Sequence, residues 1–237
     1  MGTADDIRSA VTSIARANWK IRDGQVVPST QDVALANGAV RLDAVYLYAD
    51  MADSTGLARD FTRETAAKVI RCYLDATCRV IKARSGVIRS FDGDRVMAIF
   101  VGNSKNSNAA QCALNINYAV QEIVRPIVER NLPSLARKGY RLSHCVGIAS
   151  GEALVVRGGV RGTNDLISVG RAPNVAAKLS EIRNGKYRSY VTGDVFNKMR
   201  RNTKYGGNPE RAMWTRESQE VGGRKITVHK SLWTWEL

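Results

Sequence analysis

The sequence predicts an α/β fold in which helices pack on one largely antiparallel β-sheet. Two observations support this. Strand-like apolar runs alternate with helical runs along the 237 residues, and the order strand, helix, hairpin, helix is that of a ferredoxin-like βαββαβ core. The tight turn Asp92-Gly93-Asp94 between two apolar runs also indicates antiparallel neighbours. A hydrophobic fraction of 44% is ordinary for a globular core of this size.

Apolar periodicity predicts each element in turn. The predicted helices cover residues 4–20, 57–85, 108–130, 174–182 and 194–201. The predicted strands cover residues 42–49, 86–91, 95–101, 142–148, 153–156, 189–192 and 225–231. Residues 24–38 are predicted to form an extended linker and residues 149–152 a turn, and Pro126 is predicted to kink or break its helix. We therefore divide the chain into an N-terminal helix and linker, residues 1–40, and one large domain, residues 41–237.

Composition limits the function. No apolar run approaches the roughly 18 residues of a membrane span, and no signal-peptide segment begins the chain, so we expect a cytoplasmic protein without a membrane span. The four cysteines lack metal-site spacing and are expected to be reduced thiols. The net charge of +14 is dispersed, without a run of five basic residues. It favours an anionic substrate over nucleic acid as the partner.

Two aspartates at the ends of strand-like runs carry the chemistry. Asp50 closes the strand that contains Tyr48, and Asp94 begins the strand after the tight turn. If the βαββ order brings them together, they can hold divalent ions against a triphosphate. The alternative for either one alone is a helix cap or a turn residue. The backbone from Met51 through Asp53, Ser54 and Thr55 enters the next helix and is expected to cradle phosphates there.

Four segments in order resemble the class III nucleotidyl cyclases, over nearly all of the chain beyond the linker. They are Tyr48–Thr55, Phe91–Phe100, Val146–Glu152 and Val169–Lys178. This resemblance implies the class III cyclase fold and attack of a ribose 3′-OH on the α-phosphate, with release of pyrophosphate. It also implies two Mg²⁺ or Mn²⁺ ions on Asp50 and Asp94, with the Met51 carbonyl as a further ligand. The family's active sites lie across a homodimer interface, so Asn174 and Lys178 are expected to act on the partner's substrate.

Three positions depart from the family pattern. Lys178 stands where arginine is usual and lacks the bidentate fork. Ser90 and Ile167 stand where residues that read a purine are usual, and Ile167 has no hydrogen-bonding group. Loss of these partners indicates either a degenerate enzyme or a different base.

The segments around Val27–Ser29 and Arg41–Asp50 resemble the bacterial pyrimidine cyclases of phage defence. That resemblance implies a cyclic UMP or cyclic CMP signal that activates a separately encoded effector, and we favour UTP over CTP. Tyr48, Ser90 and Arg95 are the candidates for contacts to the base, and bulk at Ile167 suits a small one. An adenylate cyclase, a non-catalytic nucleotide-binding homologue and a nucleic-acid-binding protein are the alternatives.

Overall fold

The structure is a computed structural model that describes residues 2–183 and 185–237. The helices are α1 Thr3–Arg16, α2 Ser54–Asp60, α3 Arg63–Ala83, α4 Lys105–Tyr118, α5 Arg125–Asn131, α6 Pro133–Arg137, α7 Arg171–Ser180, α8 Gly193–Lys198 and α9 Arg201–Lys204. The strands are β1 Lys20–Gly24, β2 Gly38–Met51, β3 Val87–Asp92, β4 Arg95–Phe100, β5 His144–Val160, β6 Thr163–Val169, β7 Ser189–Thr192, β8 Tyr205–Gly206, β9 Arg211–Ala212, β10 Thr215–Val221 and β11 Arg224–Ser231.

Nine strands form one sheet in the order β10-β11-β7-β5-β2-β4-β3, with β1 paired to β2 and β6 paired to β5. The β1–β2 and β5–β7 pairs are parallel, and the other pairs of this sheet are antiparallel. Strands β5, β2, β4 and β3 stand in the order of a ferredoxin-like unit, with α2 and α3 between β2 and β3 and α4 between β4 and β5. The predicted fold class is confirmed.

Alternation along β2 divides its side chains between two cores. Val45, Leu47 and Ala49 pack in the core that α3 and α4 cover. Tyr46 and, partly buried, Tyr48 belong to the opposite core, where α7 packs. Asp50 follows Tyr48 on this second face, so the register of β2 points its terminal carboxylate toward α7 and away from α3.

Several predicted boundaries are wrong. The expected hairpin around residues 149–152 does not form, because β5 runs unbroken from His144 to Val160. Ser150 and Gly151 continue its pairing with β2, opposite Val45 and Ala44. The small residues of β5 allow α7 to approach the strand closely and do not form a turn. The strand that pairs with β5 in a hairpin is β6, which was not predicted.

The predicted helices also differ at their ends. Residues 57–85 form two helices, and Thr62 caps the second by accepting a hydrogen bond from the Thr65 N–H at 3.2 Å. The first helix ends at Arg16, so that β1 follows it. Pro126 lies in the first turn of α5, directly after a π-helical segment over Ala119–Val124. The backbone stays helical from α4 through α5, so the helix is locally irregular before Pro126 but does not break. α4 starts at Lys105, and the predicted helix over 194–201 divides into α8 and α9.

Residues before and after residue 40 belong to the same sheet, because β1 pairs with residues Gly38 to Leu42 of β2. Helix α1, by contrast, has no buried residue. Within residues 2–183 and 185–237, no helix has both the length and the apolar character needed to cross a membrane.

Gly147 fixes the position of α7 on the sheet. A Cβ atom at Gly147 would lie 2.2 Å from the Ala176 carbonyl oxygen and 2.4 Å from the Ser180 nitrogen. Both atoms belong to the backbone of α7, which cannot yield as a flexible side chain can. The absence of a side chain at residue 147 therefore allows α7 to pack directly over the residue beside Tyr48.

We expect Gly147→Ala to lower the free energy of unfolding by about 1–3 kcal/mol, because the added methyl overpacks this contact. Gly151→Ala is the matched control on the same strand, since its Cβ would meet the Ala172 side chain at an ordinary 3.5 Å. Urea denaturation of both variants checks the difference. Equal stabilities would contradict the assigned role of Gly147.

His144 is buried beneath the end of β2. Its ring lies 6.2 Å from the Tyr73 ring between centroids, and neither ring nitrogen has a hydrogen-bond partner within the described residues. Burial, together with the neighbouring positive charges of Arg188 and Arg183, lowers the pKa of His144 from 6.5 to about 3. The folded protein therefore holds this imidazole neutral across the range in which an unfolded histidine takes up a proton.

Acid should consequently destabilise the fold between about pH 6.5 and pH 3, because only the unfolded state binds the proton there. At about pH 5 the loss attributable to His144 is about 2 kcal/mol relative to about pH 7.5. We expect His144→Leu to remove this part of the pH dependence, measured by urea denaturation at both pH values. If the variant and the parent lose stability equally, His144 is not the group responsible.

Candidate active site

The end of β2 brings Asp50 and Met51 beside the β3–β4 turn that carries Asp94. Asp50 pairs opposite Arg95 of β4, the residue after Asp94. Burial raises the pKa of the Asp50 carboxyl above its usual value, Arg183 partly opposes this, and the neighbouring Asp94 carboxylate adds to the rise. The two sequence-predicted aspartates are thus close enough to repel each other.

The oxygens of this pair suit a divalent cation. Asp50 has a side chain only 13% exposed, and its Oδ2 already accepts a hydrogen bond from a cation, Arg183, at 2.6 Å. The buried Oδ2 of Asp94 has no hydrogen-bond partner among the described residues. Such an oxygen is costly to bury without a cation or donor. Carboxylate and carbonyl oxygens are the ligands that Mg²⁺ and Mn²⁺ prefer.

Among the described residues, Asp50 and Asp94 are the two carboxylates proposed to hold a metal ion at this point. Within the described residues, no group of three or more histidine, cysteine, aspartate or glutamate side chains is arranged to hold a metal ion. The Met51 carbonyl lies 3.4 Å from the same Arg183 Nη2 that contacts Asp50, so it faces the same point. Any bound ion would depend on this carbonyl and on substrate or water oxygens to complete its ligands.

Three neighbouring strands present the candidate base contacts on one face. Tyr48, Met97 and Ser90 stand opposite one another across β2, β4 and β3, and Asp50 and Arg95 stand in the next row. The Arg95 guanidinium lies 5.5 Å from the centre of the Tyr48 ring. Tyr48 and Ser90 are thus brought to the face that carries Asp50, and Ser90 is exposed there.

Two carboxylates hold Arg95 in place. Its terminal nitrogens donate to Glu181 at 3.0 Å and to Asp92 at 2.8 Å, and its side chain is only 22% exposed. Burial raises the pKa of the Tyr48 phenol, so the ring is neutral at physiological pH and its hydroxyl can both donate and accept.

The segment expected to hold phosphates begins α2. The Ala52 N–H donates to the Ser143 carbonyl at 2.8 Å and so is not directed at a ligand. Asp53 adopts a left-handed backbone conformation with φ 59°, and α2 starts at Ser54. A Cβ at Gly56 would lie 2.3 Å from an Asp53 carboxylate oxygen, so glycine there lets that carboxylate fold against the helix. Thr55 is exposed.

Asn174 and Lys178 lie together on the exposed side of α7, one helical turn apart. They line a groove of about 340 Å³ with Arg171 of the same helix and Arg224 at the start of β11. The buried side of α7 packs on the sheet, so these two residues point away from the face that carries Asp50 of their own chain.

Ile167 lies apart from the aspartates. It lies on β6 opposite Val156, near the far end of β5 from Asp50, and its side chain is 52% exposed. It therefore makes no part of the Asp50 site within one chain.

Sequence reasoning missed Arg183, Glu181 and Arg224. Arg183 follows α7 in a loop, and neither a motif nor a periodicity distinguishes it from the other basic residues of this chain. Only the packing of α7 over β2 brings it to Asp50. The two histidines lie on different strands, β5 and β11, as the sequence indicates.

The chain is similar in sequence to known proteins. The chain is 41% identical over 231 residues to a uridylate cyclase of Rhodovulum sp. (strain MB263), covering 98% of this chain and 96% of the relative. It is 36% identical over 239 residues to a uridylate cyclase of Burkholderia cepacia, with both chains covered completely. No family model matches the chain.

Solved structures show the same fold. A bacterial light-regulated adenylyl cyclase superposes with a TM-score of 0.69 at 20% identity, over 83% of this chain and 53% of that longer chain. The guanylyl cyclase Cya2 superposes with a TM-score of 0.67 at 19% identity, over 83% of this chain and 94% of that chain.

The fold is that of a class III nucleotidyl cyclase. Within that class, the chain aligns with curated uridylate cyclases over nearly its whole length and theirs. It therefore belongs to the uridylate cyclase family.

Proposed function

We propose that this protein converts UTP, in preference to CTP, into the 3′,5′-cyclic monophosphate and pyrophosphate. The ribose 3′-oxygen forms a bond to the α-phosphorus, the bond from that phosphorus to the pyrophosphate oxygen breaks, and the 3′-hydroxyl loses its proton. One observation carries the proposal. Asp50, Tyr48 and Arg95 lie on the same face of the sheet, in a chain that aligns with a uridylate cyclase over nearly its whole length.

Asp50, Asp94 and the Met51 carbonyl would hold Mg²⁺ or Mn²⁺ at the end of β2. Such ions, when bound, lower the pKa of the attacking hydroxyl and neutralise the triphosphate. The backbone N–H groups of Asp53, Ser54 and Thr55 at the start of α2 bind the terminal phosphates in this proposal. The Asp94 oxygen without a partner among the described residues and the cation contact at Asp50 support the metal role.

Tyr48, Arg95 and Ser90 would read the base. Arg95 is held by Glu181 and Asp92, so its direction is set before substrate arrives. A neutral Tyr48 hydroxyl and the Ser90 hydroxyl can each donate or accept a hydrogen bond. A uracil presents two carbonyl acceptors and one N–H donor, which these groups can match. In a homodimer, Ile167 from the partner chain, without a polar group, adds bulk that favours a pyrimidine over a larger purine.

We place the complete site across a homodimer. Asn174 and Lys178 face away from Asp50 of their own chain, whereas the chemistry needs groups on both sides of the α-phosphate. In a two-fold dimer, Asn174 of one protomer orients the ribose bound by its partner, and Lys178 stabilises the transferring phosphate. The apolar Ile167 and Val169, both more than half exposed on β6, are suited to such an interface.

The product would act as a second messenger in antiviral defence, through a separately encoded effector, in the cytoplasm. This role comes from the resemblance to phage-defence pyrimidine cyclases. The division into residues 1–40 and a catalytic domain over 41–237 likewise stays a prediction.

Incubation of the purified protein with each of the four nucleoside triphosphates and Mn²⁺ tests the reaction. We expect cyclic UMP as the main product by liquid chromatography and mass spectrometry. Asp50→Asn and Asp94→Asn should each lower its formation by at least about a hundredfold, because metal-bound charge stabilisation is lost. Both variants should keep the size and the circular dichroism of the parent.

The alternatives give different results. Conversion of ATP alone would make the protein an adenylate cyclase. Nucleotide binding without any cyclic product would make it a non-catalytic homologue, in which Lys178 fails to replace the family arginine. Loss of the dimer in Asp50→Asn would make Asp50 structural.

Mixing two inactive variants tests the shared site. Asp50→Asn and Asn174→Ala damage different halves of each site, so a mixed dimer retains one site with both halves intact. After joint refolding, we expect about a quarter of the parent activity, because random pairing makes half of the dimers mixed. Activity no greater than the sum of the separate variants would show that each site lies within one chain.

A further inference from the structure

Arg183 occupies the point at which the proposed metal ligands converge. Its Nη2 lies 2.6 Å from the Asp50 Oδ2 and 3.4 Å from the Met51 carbonyl oxygen. Its Nη1 donates to the Ser180 carbonyl at 2.6 Å and to the Ile182 carbonyl at 3.2 Å. One guanidinium therefore joins the end of α7 to the end of β2.

The contact offsets an unfavourable charge arrangement. Asp50 is largely buried next to Asp94, and two neighbouring carboxylates repel each other. Arg95 stands opposite Asp50 on β4, but its terminal nitrogens bind Glu181 and Asp92. Arg183 thus supplies positive charge directly at the Asp50 oxygen when no other cation is bound.

The guanidinium competes with a divalent ion for this position. It contacts the Asp50 carboxylate and lies near the Met51 carbonyl, which are the groups proposed to hold the ion, and two positive charges at the same carboxylate repel strongly in a partly buried site. Arg183 has room to leave, since its side chain is 37% exposed. The flexible side chain can turn to solvent without movement of α7.

We propose that Arg183 is a resident counter-ion of the metal-free site, and that a divalent ion binds Asp50 only after displacing it. The inference rests on the metal role proposed for Asp50 and Asp94. The contact stabilises the neighbouring Asp50 and Asp94 carboxylates and at the same time weakens metal binding, because the ion must break a charge-assisted hydrogen bond before it can bind. Arg183 is thus a residue that sets metal affinity without contacting the metal.

Titration with Mn²⁺ alone, without nucleotide, tests this through the electron paramagnetic resonance signal of free Mn²⁺. We expect Arg183→Gln to bind Mn²⁺ about tenfold or more tightly than the parent, since no ion pair has to be broken. In EDTA the same variant should have a lower midpoint of thermal unfolding than the parent, and Mn²⁺ should raise that midpoint more than in the parent.

Arg188→Gln is the matched control. Arg188 belongs to the segment that follows α7, and its guanidinium donates to the Gly185 and Tyr187 carbonyls. The substitution removes the same charge from the same region, so it should leave Mn²⁺ affinity within about twofold of the parent if only long-range charge differs.

Asp50→Asn separates failure of this inference from failure of the metal site. If Mn²⁺ binding depends on Asp50 but is unchanged in Arg183→Gln, the counter-ion role is wrong and the metal site stands. If no variant shows binding that depends on Asp50, the metal site is wrong and the inference falls with it.

Should Arg183→Gln not fold without metal, Arg183→Lys replaces it. The single ammonium group of lysine cannot contact Ser180 and Asp50 at once, as the two terminal nitrogens of arginine do. We therefore expect this variant to bind Mn²⁺ more tightly than the parent. Equal affinity would overturn the proposal.

Discussion

Strand β2 is hydrogen-bonded along both edges, and this pairing determines the geometry of the site. It pairs with β5 over residues 39–51 and with β4 over residues 45–50. A slip of one residue would move Tyr48 and Asp50 into the core beneath α3. The ladder on both sides prevents that slip, so the carboxylate, the tyrosine and Arg95 are held on one face before any ligand arrives.

Helix α7 positions the residues that balance the charges at the end of β2. Gly147 allows the backbone of α7 to lie against β5, and the residues that follow α7 then reach the site. Glu181 binds Arg95, and Arg183 binds Asp50. The same helix presents Asn174 and Lys178 on its outer side. One helix thus connects the aspartates proposed to bind metal in one site with the groups proposed to serve the partner's site.

Local signals predicted much of this structure. The tight turn at Gly93, the strand that ends in Asp50 and the periodic helix over α3 all follow from residues close in sequence. The error at residues 149–152 has a tertiary cause. Small residues favour turns in isolation, but here they continue a strand because β2 pairs with them and α7 needs the space. Strands β6 and β10 alternate weakly between intermediate and exposed residues, so their sequences carry little apolar pattern.

The sequence by itself determined the fold class, because strand periodicity, turn chemistry and motif order are local properties of the chain. For the same reason it distinguished Asp50 and Asp94 as the proposed metal ligands. It also indicated that the residues usual for a purine are absent at Ser90 and Ile167. Only the tertiary structure decided which cation faces Asp50 and what holds Arg95. It also decided that Asn174 points away from the aspartates of its own chain. These are contacts between residues up to 133 positions apart, and packing of α7 against the sheet, not any local pattern, sets them.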